Sequence, residues 1–184
     1  MARVPYLDKS DLAPENHDLL KRMITLHRAL ANSPNALRAF GALGQFIRHK
    51  SRLDPRLREL AILQVGYLAR APYEWSHHVK IGREFGVSND DIAALIEESE
   101  GRAGKLELVL KGAREMTEDG AMSKATFDAL SRDLDKERMV DLVVTIGFYN
   151  AVVRVLASPE IDVEPDYQPY LDEFPLPPAG KAKR

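Results

Sequence analysis

No cysteine occurs among the 184 residues of this chain. Disulfides, thiolate zinc sites, iron–sulfur clusters and thiol nucleophiles are therefore closed to it. An excess of one charge is also missing: 26 Lys and Arg stand against 28 Asp and Glu, a formal net charge of -2. A nucleic-acid surface needs a basic patch, so that class of partner is not expected. Long apolar runs are absent too. The longest uncharged stretch, Leu142 to Val153, is closed by Asp141 and Arg154 and falls short of the ~20 residues that cross a bilayer. Met1 to Asp11 lacks the apolar centre of a secretory signal. These absences predict a soluble, cytoplasmic protein with no membrane partner. What remains is 45% apolar and 29% charged, the composition of a globular domain with a core of its own.

The apolar spacing is helical throughout, and the expected fold class is all-α. Leu19, Leu20, Met23, Ile24, Leu26, His27 and Leu30 follow Pro14-Glu15 in i, i+3, i+4 order. Ser33-Pro34 and Asp54-Pro55 each read as a cap followed by a first-turn proline, opening helices to about Lys50 and Arg70. Pro72 opens another, closed by Gly86, and Ser88 caps a short one through Ile96. After a turn at Glu100 to Gly104 come Leu106, Val109, Leu110, Ala113 and Met116 on one face. Gly120 breaks that helix, Ser123 caps Lys124 to Leu130, and Asp135 opens the last long helix to about Ser158. The expected organisation is an extended segment over residues 1–14, a helical domain of about eight helices over 15–158, and a Pro-rich tail over 159–184. The tail should be extended and not helical for long, and its end, Lys181 to Arg184, should be disordered. Helices 55–70 and 136–158 are apolar nearly all round, so they form either the monomer core or, in part, a face buried against another subunit.

The candidate chemistry lies between residues 59 and 78. Glu74 and His78 are i, i+4 and share one helix face. A carboxylate beside an imidazole orients it and raises its basicity, giving a proton shuttle near neutral pH. His77 points about 100° away from His78 and so should not easily serve the same pocket. Glu59 sits on an almost wholly apolar helix, where a carboxyl either finds a partner or takes a raised pKa. It could equally be a first-turn Glu satisfied by the backbone, Arg56 or Arg58. A Glu–His pair at this spacing is also common on solvated faces, but here the chain's one Trp, Trp75, lies between the two. Glu74-x-x-His77 is half of a di-iron helix pattern with no second copy, and His-Glu-x-x-His is absent. A mononuclear site from Glu59, Glu74 and His78 is conceivable in geometry, yet no metal is expected.

Leu57-Arg58-Glu59-Leu60, then Tyr73-Glu74-Trp75-Ser76-His77-His78-Val79, Gly86-Val87-Ser88 and Asp91-Ile92, resemble the carboxymuconolactone decarboxylase-like proteins. These share a fold with the AhpD-type alkylhydroperoxidases, and the resemblance runs from about Glu15 to Asp162. The peroxidase branch carries Glu-x11-Cys-x2-Cys-x3-His, which falls here on Glu59, Ala71, Glu74 and His78. Both redox cysteines are thus replaced, and Glu74-x-x-x-His78 is similar to the cysteine-free decarboxylase branch. The resemblance implies a homo-oligomer, trimeric or hexameric, and a lyase acting on a small unsaturated lactone or cyclic acid without a cofactor. It assigns His78 as proton donor, Glu74 as holder of its tautomer and Glu59 as second acid/base. Trp75 and Tyr73 would wall a flat ring, with His77, Tyr149 and Asn150 completing the substrate-binding set. Other readings are a non-catalytic small-molecule-binding oligomer of the same fold and a peroxidase-related oxidoreductase lacking the redox cysteines.

Overall fold

In the computed structural model, residues 2–99 and 108–178 are described. The expected turn at 100–104, Leu106 and the terminal basic stretch lie outside the described residues. Among the described residues there are nine α-helices, three short 3-10 helices and no strand. The α-helices are α1 (Thr25–Leu30), α2 (Pro34–His49), α3 (Pro55–Leu68), α4 (Pro72–Glu84), α5 (Asn89–Ser99), α6 (Leu108–Glu118), α7 (Lys124–Leu130), α8 (Lys136–Ala157) and α9 (Gln168–Glu173).

The caps sit where the residue types put them. The Asp54 carboxylate accepts from the N–H groups of Arg56 and Leu57, Ser123 accepts from Thr126, and Asp135 accepts from Arg138. Ser88 and Asp91 cap α5 reciprocally, each side chain taking the other's backbone N–H. Ser33 occupies the N-cap position of α2 but its side chain makes no capping bond. Gly86 closes α4 at φ 87°, a conformation that any residue with a Cβ adopts at a cost.

One expected helix is broken. The stretch opening at Pro14 splits into a 3-10 helix, Pro14–Leu20, and α1. Between them Ile24 turns extended, at φ -74° and ψ 147°. The cause lies 139 residues away: the Thr25 N–H donates to the Glu164 carboxylate at 2.7 Å. A carboxylate from the tail thus caps α1 in place of a local residue.

α3 is the axis of the fold and packs against α4, α5, α6 and α8. Every residue from Arg58 to Tyr67 is buried. Ala61, Ile62 and Val65 face a core shared with Leu142 and Ile146 of α8, while Leu60, Leu63 and Tyr67 face a second core with Trp75, Val79 and Ile92. Each such side chain contributes about 1.5–3 kcal/mol by leaving water, so α3 is anchored from both sides. At 22 residues and mean hydropathy 1.7, α8 is long and apolar enough to cross a membrane by length and composition. The uncharged stretch understates it, because Arg138, Asp141 and Arg154 sit within the helix. Half of it is buried in the fold, with Asp141 held by the Ser51 hydroxyl and the Arg52 N–H, each at 2.8 Å.

The Pro-rich segment folds back rather than trailing away. Its 3-10 helix, Pro165–Tyr167, and α9 pack on α4. Asp162 accepts from the Tyr6 hydroxyl at 2.9 Å, tying the N-terminal segment to the same layer. Helical stretches there are short, as recurring proline requires.

Candidate active site

Pro72 fixes the first turn of α4, and Gly66 lets that turn lie close to α3: a Cβ on Gly66 would sit 3.4 Å from the backbone nitrogen of Trp75. This close crossing brings the α3 carboxylate, Glu59, within reach of the α4 imidazole of His78. His78 Nδ1 lies 2.5 Å from Glu59 Oε2, and His78 Nε2 lies 2.8 Å from Glu74 Oε1. Glu59 is completed by Arg58, whose Nε–H donates to its other oxygen at 2.8 Å. The first-turn arginine and the imidazole therefore both partner Glu59.

The protonation state follows from the geometry. Both ring nitrogens of His78 face carboxylate oxygens, and an imidazole donates from both only as the cation. Burial opposes that charge, but Glu59 and Glu74 outweigh it and push His78 up to about 9. Burial likewise works against the Glu59 carboxylate, while His78 and Arg58 more than offset it and hold Glu59 below the usual range. Tyr149 of α8 stands edge-on to the His78 ring, with centroids 5.2 Å apart at 85°. Its phenol is pushed above the ordinary value by burial, then by the charges of Glu74 and Glu59.

Beside this group is a cavity of about 60 Å³, enough for a few waters or part of a small ligand. Glu74, His78, Tyr73, His77 and Tyr149 line it with Phe40, Phe148, Arg22, His27 and Arg48. Glu59 is fully enclosed and does not line it. Among the described residues no group of three or more His, Asp and Glu is arranged to hold a metal ion.

Two expected ligand contacts lie elsewhere. Trp75 is fully buried, its Nε1–H donates to the Phe174 carbonyl at 2.8 Å, and it packs on Tyr67 in the second core. One residue past Glu74 is about 100° round the helix, which turns Trp75 away from the cavity. Asn150, one residue past Tyr149, is turned aside in the same way. Its amide donates to Thr117 and to the Ile146 carbonyl, at 3.0 and 3.1 Å. His77 borders the cavity, but its ring is stacked between Tyr73 and Tyr167, at centroid distances of 4.1 and 3.5 Å. Its Nε2 meets Glu164 at 2.8 Å. The Glu164 carboxylate also accepts from the Tyr73 hydroxyl, at 3.1 Å. Burial disfavours its charge, yet the His77 and Thr25 hydrogen bonds bring it down to about 2.

Arg22, His27 and Arg48 in the cavity, and Glu164 and Tyr167 behind it, carry no motif in the sequence. The nearest signal is the basic character of the segments around Arg22 and Arg48, which reads as an ordinary solvated face.

Residues 34–115 match the model of the carboxymuconolactone decarboxylase family. No curated protein matches the sequence. Among solved structures, the AhpD core of a peroxidase-related protein from Ralstonia eutropha JMP134 superposes with a TM-score of 0.75 at 18% identity, over 92% of this chain and 95% of that one. The debrominase Bmp8 in complex with 2,3,4-tribromopyrrole gives 0.71 at 20% identity, over 92% and 96%. A protein of unknown function from Agrobacterium tumefaciens, provisionally described as an antioxidant defence protein AhpD, gives 0.62 at 22% identity, over 73% and 94%. At these identities the likeness carries the fold, and the family match places the site segment, α3 and α4, within the matched residues. The chain is thus cysteine-free, carries the helical fold of the AhpD structures, and over residues 34–115 is similar to the carboxymuconolactone decarboxylase family.

Proposed function

We propose that the protein is a cytoplasmic, cofactor-independent lyase of the carboxymuconolactone decarboxylase type, acting on a small unsaturated lactone or cyclic carboxylic acid. The observation that carries this reading is a buried imidazole held between two carboxylates beside a cavity. Loss of carboxylate from the γ-carbon of an unsaturated lactone breaks one C–C bond and releases CO2. The electron pair spreads into the ring as a dienolate, its charge resting on the lactone oxygen. The ring itself is the electron sink, so the chemistry asks for no metal or organic cofactor. The site must stabilise that oxyanion and return one proton to carbon.

Roles follow from position. Glu59, enclosed and braced by Arg58, fixes the ring through Nδ1 and keeps it cationic. The Nε2 proton, shared with Glu74 at the cavity wall, is the one delivered to carbon. This exchanges the two acids relative to the resemblance: Glu59 holds the ring and Glu74 handles the proton. The five-membered ring bound by the debrominase of the same fold is in keeping with a ligand of this size. An apolar depression lined by Phe127, Leu134, Met139, Val140 and Val143, with Val140 60% exposed, supports self-association; the trimer or hexamer comes from the resemblance, and light scattering would register it.

The decisive experiment is a screen of unsaturated lactones and ring-cleavage acids for CO2 release. Turnover by the native chain, loss of it in His78→Gln, and a larger fall in kcat than rise in KM for Glu74→Gln are expected. A blank screen, or full turnover by His78→Gln, overturns the reading. One observation favours the non-catalytic alternative, that both His78 nitrogens are already engaged. Under it, His78→Ala would keep ligand affinity in a protein with no turnover.

A further inference from the structure

Arg22 and Arg48 both line the cavity, and neither forms an ion pair among the described residues. The acids around them are committed elsewhere: Glu74 to His78, and Glu164 to His77, Tyr73 and Thr25. Arg48 Nε and His27 Nδ1 are buried with no hydrogen-bond partner. Each such orphan costs about 1–3 kcal/mol, and native folds keep few of them. The His78–Glu74 pair sums to zero, so the two guanidiniums leave the cavity wall with two uncompensated positive charges.

We propose that Arg22, His27 and Arg48 are the receiving site for the carboxylate of a small cyclic anion bound beside His78. A guanidinium matches a carboxylate by two parallel N–H donors, stronger than neutral hydrogen bonds. The Arg48 Nε–H is a donor that nothing in the fold uses, and the His27 tautomer protonated at Nδ1 adds a second. Burial, and then the charges of Arg22 and Arg48, bring His27 down to about 4, so it stands neutral at pH 7 and adds a donor without adding repulsion. The break at Ile24, imposed by the tail carboxylate on Thr25, is what leaves Arg22 at the cavity rather than along a continuous helix. Phe40 and Phe148, tilted at 49° with centroids 4.8 Å apart, line the remainder as apolar wall for the ring.

The site also constrains the chemistry. A carboxylate neutralised by arginine is stabilised in the ground state, so the group held there is one that survives the reaction. This consequence rests on the acid–base reading; the binding itself does not.

The test uses 2-furoate and its uncharged counterpart 2-furamide as probes, titrated calorimetrically into the native chain, Arg22→Met and Arg48→Met. Furoate is expected to bind at least about tenfold more tightly than furamide, and each Met variant to lose about tenfold in furoate affinity with furamide unaffected. Furoate should also move the His27 ring titration upward from about 4 in NMR spectra. Equal binding of the two probes, no furoate binding, or Met variants that bind furoate as the native chain does would overturn the site. Should Arg48→Met not fold, Arg48→Lys keeps the charge without the fork, and Arg22→Met decides independently. Arginine-dependent furoate binding with a blank CO2 screen leaves this site standing and ends the lyase reading. Turnover that needs His78, with KM indifferent to Arg22→Met and Arg48→Met, does the reverse.

Discussion

Arg58, Glu59, His78 and Glu74 form a closed chain of charge on α3 and α4, each contact at 2.8 Å or less. Arg22, His27 and Arg48 border the same cavity with no carboxylate among them and two orphaned nitrogens. The first set is balanced: two cations, two anions, and every ring nitrogen in use. Desolvation of such a set is offset only because no member lacks a partner. In the second set Arg22 is exposed, and the unrelieved cost falls on Arg48 Nε and His27 Nδ1, which are buried without a partner; a fold tolerates that where a ligand later supplies the acceptor. Balance serves positioning; imbalance serves binding.

Breaking the balanced set should produce the largest effect. Glu59→Gln leaves both Arg58 and the His78 imidazolium without their shared anion, and removal of one buried partner costs about 3–5 kcal/mol. Urea unfolding should register that loss, with turnover falling alongside it. An unchanged midpoint would mean that the chain of charge contributes nothing.

A pH titration of stability sharpens the same point. His78 stands at about 9 in the fold against 6.5 unfolded, so the folded state holds its proton more tightly. Its contribution is complete below pH 6.5 and disappears as pH climbs through 9. The decline should approach about 3 kcal/mol, from the pKa difference at about 1.4 kcal/mol per unit. Chemical denaturation at stepped pH values should show it in the native chain and a flatter profile in His78→Gln. A native profile level from pH 6 to 10 would contradict the imidazolium.

The smallest effect is expected on the far face of α4. Trp75→Phe removes the hydrogen bond to the Phe174 carbonyl and some core volume, costing about 1–2 kcal/mol, with kcat and KM unchanged. A marked loss of substrate affinity in that variant would return Trp75 to the site.

Much of the helical frame was legible residue by residue. Asp54-Pro55, Ser88 with Asp91, Ser123 and Asp135 are local devices whose bonds span two or three residues, so neighbouring sequence suffices to place them. Glu74 and His78 were legible for the same reason. Glu59 stood out as a carboxyl on an apolar helix, although its partner lies 19 residues on. Trp75 and Asn150 were misplaced because adjacency along the chain is not adjacency around a helix. The broken first helix, the tail carboxylate Glu164 and the arginine wall were not legible. Their contacts join segments far apart in the chain, and the Thr25 cap has its donor and acceptor 139 residues apart.

The amino-acid order alone thus determined most of the helices from α2 to α8 and their ends, the burial of α3 and the exclusion of thiol chemistry, because turns, caps and periodicity act over a few residues. Only the tertiary structure decided which charges meet. Periodicity says which face of a helix leaves water, but the neighbour that meets it is chosen by packing across the whole chain. That choice encloses Glu59, turns Trp75 away and leaves two arginines on a cavity wall with no ion-pair partner among the described residues.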